Sequence, residues 1–169
     1  RVFNLGVNST VELAGAAAND GTLTANLKTD TTADTMTLKL NREYTDGGDN
    51  AADPVTASYT VLAATVETLN VVSTGNMLPI TPVDGYKADV LTNTLTLTNS
   101  NELTSLVVSG DKALSFTSDN GMTKLATIDA SANTAGVEID ASAALATSVA
   151  LTIKGTAKAD TITGGALGD

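Results

Sequence analysis

The sequence holds no cysteine, no histidine and no tryptophan, and only three tyrosines and two phenylalanines among 169 residues. Without cysteine there are no disulfides and no thiol chemistry, so stability has to come from packing or bound ions. Without histidine, zinc hydrolysis of the HExxH kind and a Ser-His-Asp triad are both excluded. No G-x-S-x-G elbow, Walker A loop or dinucleotide-binding glycine fingerprint occurs either. Glu138 and Asp140 alternate on one stretch and so point the same way, but the scarcity of aromatic platforms argues against a glycosidase. Lys154 and Lys158, near acidic residues, give only a faint echo of a polysaccharide lyase. The chain reads as a non-enzyme.

Basic residues are also few: 9 against 19 acidic ones, for a net charge of −10. Such a field repels nucleic acid and acidic headgroups and attracts divalent cations, so nucleic acid is not expected as a partner. No apolar run approaches the ~20 residues of a membrane helix, and no membrane insertion is expected. The opening RVFNLGVNST has neither an initiator Met nor a signal-peptide layout, and the chain stops inside a repeat. A fragment of a longer protein is the expectation.

What is present favours strands: 42% hydrophobic residues, drawn from Val, Leu, Ile and Ala, with abundant Thr. Over residues 1–65, Val11/Leu13, Leu23/Ala25/Leu27, Met36/Leu38/Leu40 and Tyr59/Val61/Ala63 alternate with polar neighbours, so each stretch buries one face. The turn signal Asn19-Asp20-Gly21 suggests a hairpin, and the segment is expected to be an antiparallel β module. The loop from Asp46 to Pro54 carries Asp46, Asp49 and Asp53, three carboxylates that can fold around calcium or simply be solvated. Residues 73–88, with Gly75, Pro79, Pro82 and Gly85, are expected to form a loop.

Repetition marks the remainder. Leu103-Thr-Ser-Leu106-Val-Val-Ser-Gly110 resembles Met122-Thr-Lys-Leu125-Ala-Thr-Ile128-Asp129, then Ala146-Thr-Ser-Val149-Ala-Leu-Thr-Ile153, at offsets of 122 − 103 = 19 and 146 − 122 = 24. Asp129-Ala130-Ser131-Ala132 recurs as Asp140-Ala141-Ser142-Ala143. Imperfect repeats of this length are the signature of a solenoid, whose units share a core with their neighbours. The expected fold is all-β: a parallel β-solenoid or β-roll over residues 66–154 after the antiparallel N-terminal part, with a β-sandwich as the alternative.

The last stretch, GTAKADTIT followed by GGALGD, matches the calcium-binding nonapeptide G-G-x-G-x-D-x-U-x, with Gly155 first, Asp160 sixth and Ile162 eighth. Gly164, Gly165 and Asp169 open a second unit, and 169 − 160 = 9 keeps the register. Thr156, Lys158 and Leu167 stand where the motif has glycines. Glycine permits the tight turn, and the turn aims oxygen ligands at a hard cation. Asp140 and Asp160 lie 160 − 140 = 20 residues apart, about one coil, and are expected to share an ion if their turns stack.

This stretch resembles the repeats-in-toxin (RTX) family, and residues 155–169 read as the entrance to an RTX array. With the phrases LTSLVVSGDKALSF and LATIDASAN, the match over residues 66–169 is most similar to surface-layer (S-layer) proteins and their adhesin relatives. The resemblance implies type I secretion, folding with calcium outside the cell, and self-association into a lattice at the cell surface. Cell-surface polysaccharide is a further partner to consider. On that reading Asp160 and Asp169 are calcium ligands, Asp140 a third, and Gly155, Gly164 and Gly165 shape the turns. The alternatives are the non-catalytic solenoid of a secreted hydrolase or lyase, and a calcium-dependent adhesin.

Overall fold

The computed structural model describes residues 2–15, 22–144 and 150–165, in which there are thirteen strands and no helix. Seven strands form one sheet in sequence order: β1 (Val2–Leu5), β3 (Thr22–Leu27), β5 (Pro54–Leu62), β7 (Val90–Leu97), β9 (Ala113–Thr117), β11 (Val137–Asp140) and β13 (Thr161–Thr163). Six form the other: β2 (Thr10–Gly15), β4 (Thr35–Tyr44), β6 (Thr68–Met77), β8 (Ser105–Gly110), β10 (Thr127–Asn133) and β12 (Thr152–Lys154). The chain therefore lays one strand in the odd sheet, turns a corner, lays one in the even sheet, and returns beside its starting place. Every ladder is parallel. This is a two-sheeted, solenoid-like β stack.

The alternation seen in the sequence becomes columns of like residues. In the even sheet Met36 pairs with Leu69, Leu69 with Leu106, Leu106 with Ile128 and Ile128 with Ile153. In the odd sheet Tyr59, Leu95, Phe116, Ile139 and Ile162 stack in the same way. Side chains from both sheets meet in one core that runs from Leu23 to Leu151. Each fully buried Leu, Ile or Val side chain contributes about 1.5–3 kcal/mol relative to exposure. The apolar columns are what make neighbouring coils interdependent.

The N-terminal third differs from the expected antiparallel module. β2 pairs with β4, and β3 with β1 and β5, all in parallel, so consecutive strands belong to different sheets. Alternation reports that one face of a strand is buried; it carries nothing about the direction of the neighbour. The Asn19-Asp20-Gly21 signal lies outside the described residues. A sandwich of antiparallel sheets is ruled out by the same ladders. In the 73–88 segment, β6 runs on to Met77 before the irregular stretch begins.

Register also corrects the repeat alignment. Leu106 pairs with Ile128, 128 − 106 = 22 residues on, and Ile128 pairs with Ile153, 153 − 128 = 25 on. The corner over 118–126 holds an extra buried residue, Met122, and so moves the true equivalent of Leu103 to Leu125. The repeated Asp-Ala-Ser-Ala phrase has a local cause. Ser131 donates its amide and hydroxyl to Asp129 at 2.9 and 2.6 Å, and Ser142 donates both to Asp140 at 3.0 and 2.6 Å. The first of these turns coincides with a shift in the β8–β10 register between Asp129 and Ala132.

Candidate functional site

Carboxylates and amides gather at the corners, where a coil leaves one sheet for the other and its backbone groups lack ladder partners. Along the corner line that joins odd to even strands, Asp34 accepts from the Thr31 amide and hydroxyl at 2.6 and 2.7 Å. The Asp34 amide in turn donates to the Glu67 carboxylate of the next coil at 2.7 Å. Asp119 does the same one coil pair later, accepting from the Asn99 amide at 2.7 Å and from its own Gly121 amide at 2.9 Å. A side chain of one coil thus caps the backbone of the coil before it. An open groove on this line is lined by Asp30, Glu67, Glu102 and Lys124, the last two forming an ion pair.

On the opposite corner line the 45–53 loop is braced against residues 78–89. Asp46 is buried and accepts from the Gly48 amide (2.8 Å), the Asp89 amide (2.8 Å) and the Tyr86 hydroxyl (2.9 Å). The Asp89 amide above all, with the Gly48 amide and Tyr86 hydroxyl, holds the Asp46 carboxyl below the usual carboxylate range against the opposing effect of burial. Tyr86 moves the other way: burial and then its bond to Asp46 push its phenol up to about 12. Asp89 accepts from the Gly47 amide at 3.2 Å and the Asp53 amide at 2.9 Å. Asp49 accepts from the Ala51 amide at 2.8 Å, within its own turn. The Asp46 carboxylate and the Asp53 amide both meet Asp89, whereas Asp49 bonds within its own turn, and among the described residues the three do not form a metal-holding group.

Gly155 opens and Asp160 closes the corner between β12 and β13. One Asp160 oxygen accepts from the Thr156 hydroxyl at 2.8 Å and the Val137 amide of the previous coil at 3.0 Å; the other accepts from the Thr156 amide at 2.7 Å. Burial opposes the charge, yet these three bonds outweigh it and keep the carboxyl below its ordinary range. A Cβ on Gly155 would stand 2.5 Å from an Asp160 oxygen, so a larger residue there would push the carboxylate out of its present bonds. Ile162 enters β13 opposite Ile139 but is 44% exposed, because no described strand covers its far side.

Asp140 ends up elsewhere. It is the last residue of β11 and pairs with Thr163, whereas Asp160 bonds to Val137 at the other end of the same strand. Three residues of strand, about 10 Å, separate the two ends. The Asp140 carboxyl is held low by the Ser142 hydroxyl and amide. The expected sharing of an ion by Asp140 and Asp160 is thus not what the coil register produces. Gly164 and Gly165 follow β13 directly, and Asp169 lies outside the described residues.

Among the described residues no three acidic side chains stand close enough together to hold a metal ion. Asp160 has accepted three bonds, which leaves one of the roughly four lone-pair directions of a carboxylate. Calcium takes 6–8 oxygens. The described part of this corner supplies one carboxylate, short of a complete shell. The sequence pattern did not single out Asp89, Glu67 or Tyr86. One signal was available for the first: an Asp immediately precedes β5, β7 and β13, at 53, 89 and 160.

No family model, no curated protein and no solved structure matches this chain.

Proposed function

We propose that this chain is a structural element of an extracellular surface layer, an S-layer subunit fragment of RTX type that folds and self-assembles with calcium. The observation that carries the reading is the stack itself, in which one core is shared along a line of parallel coils. Such a rod presents a near-repeating surface at each coil, which suits contacts repeated across a lattice. The acidic charge and the Gly155–Asp160 corner are consistent with calcium acting at the end of the stack, with Asp160 and Asp169 as ligands. Gly155 gives that corner its shape.

The proposal is tested by incubating the protein in millimolar calcium and in chelator, then imaging both by negative-stain electron microscopy. Ordered sheets or filaments are expected in calcium and dispersed particles in chelator. Dispersed particles in both, at concentrations where the protein is fully folded, would contradict an assembling role for this chain.

A further inference from the structure

With no cysteine in the chain, its only sulfur lies in three methionines, Met36, Met77 and Met122. Two of them are sealed. Met36 faces the core from β4 and Met122 fills the 118–126 corner, each with 0% of its surface exposed. Met77, the last residue of β6, is 42% exposed. Its thioether lies 3.5 Å from the Tyr86 hydroxyl, which also donates at 2.9 Å to the buried Asp46 carboxylate. Asp46 accepts from the Gly48 and Asp89 amides as well, so this one carboxylate joins the 45–53 loop to the end of the 78–89 segment. Met77 thus presents the one methionine sulfur open to solvent, and it lies against a bond that closes this corner.

A hydroperoxide oxidises a thioether when a sulfur lone pair attacks one peroxide oxygen. The S–O bond forms, the O–O bond breaks, and the departing hydroxide takes the transferred oxygen's hydrogen and leaves as water. Sulfur gives up two electrons and the peroxide gains them. The product exchanges a weak hydrogen-bond acceptor for a polar sulfoxide. We propose that Met77 is a site of selective oxidation by hydroperoxides, and that its sulfoxide loosens the corner built from residues 45–53 and 78–89. Tyr86 has a single hydroxyl proton, and a carboxylate outcompetes a thioether for it. The sulfoxide oxygen is a second strong acceptor at the same place and brings no donor with it. If it captures the proton, Asp46 loses one of its three bonds. If Asp46 keeps the proton, the sulfoxide turns to water and withdraws from the phenol that Met77 touches. Either arrangement removes a contact from the corner.

The test treats the folded protein with millimolar hydrogen peroxide in chelator and maps the products by mass spectrometry. Trypsin places the three methionines on separate peptides, 29–39, 43–87 and 113–124. Met77 sulfoxide is expected to form about tenfold faster, or more, than the sulfoxides of Met36 and Met122, because a buried sulfur reacts only when the fold opens. In denaturant the three rates are expected to converge. Hydrogen exchange then reads the corner: with Met77 oxidised, the Gly48 and Asp89 amides are expected to exchange severalfold faster, and the amides of β10 at their former rate. Met77→Leu, close in volume, is expected to fold alike and to show no change at Gly48 and Asp89 on peroxide treatment. If circular dichroism shows it unfolded, Met77→Ile takes its place with the same expectation. Equal oxidation of the three methionines in the folded chain, or protection of Met77, would overturn the site. Unchanged exchange at Gly48 and Asp89 with Met77 oxidised would overturn the loosening. So would the same acceleration in peroxide-treated Met77→Leu, which would assign the effect to another residue.

Discussion

Asp160 illustrates how a single side chain ties two coils together: it accepts from Thr156 in its own corner and from Val137 in the coil before. Replacing it by Ala is expected to cost about 1–3 kcal/mol in chelator, the usual penalty for stranding such donors. Denaturant melts would measure it. Ser118 makes the opposite case, since its hydroxyl is buried with no partner among the described residues. Ser118→Ala should therefore be neutral or slightly stabilising by the same melts, whereas a clear loss would mean the hydroxyl has a partner in solution. Glu12, Asp46, Asp129, Asp140 and Asp160 all have folded pKa values held below their ordinary 4.5 or 3.8. A depressed folded value contributes stability that is full above the unfolded pKa and disappears as pH falls through the folded one. Melting midpoints are accordingly expected to drop below about pH 4. Tyr86, raised to about 12, favours the fold below its unfolded value near ~10 and loses that contribution as pH climbs towards 12.

Strand interiors were the most legible elements. The alternating residues Leu23, Ala25, Leu27, Met36, Leu38 and Leu40 are all buried, as a period of two requires. Strand direction was not legible, because a parallel and an antiparallel neighbour bury the same alternate positions. Corner partners were hidden for a different reason: the Asp89–Asp53 and Asp119–Asn99 bonds span 36 and 20 residues, and coil length varies too much for one offset to find both. At the β8–β9 corner, Gly110 has φ +111, and a Cβ there would stand 2.0 Å from the Ser73 carbonyl oxygen. Gly110→Ala should thus displace one coil from the next and lower stability by about 1–3 kcal/mol or more. Native-state hydrogen exchange would then report the loss first in β8 and β9.

As a whole molecule, the stack combines apolar columns that run its length with carboxylates that fasten its corners. The solenoid-like repetition after residue 66 was readable from imperfect repeats; its extension towards the start of the chain was not, since coil length there swings from 24 − 2 = 22 to 60 − 22 = 38 residues and the segment shares no phrase with the rest. Of the calcium residues expected at the end of the chain, Gly155 and Asp160 share a corner, Asp140 lies at the far end of a strand, and Asp169 is outside the described residues. The central proposal is that calcium adds to a fold already held by these internal contacts. Thermal unfolding followed by circular dichroism, in millimolar calcium and in chelator, tests it most directly. A β-rich spectrum is expected in both, with a higher midpoint in calcium and loss of most of that increment in Asp160→Ala. Identical midpoints with and without calcium in the unaltered chain would contradict it.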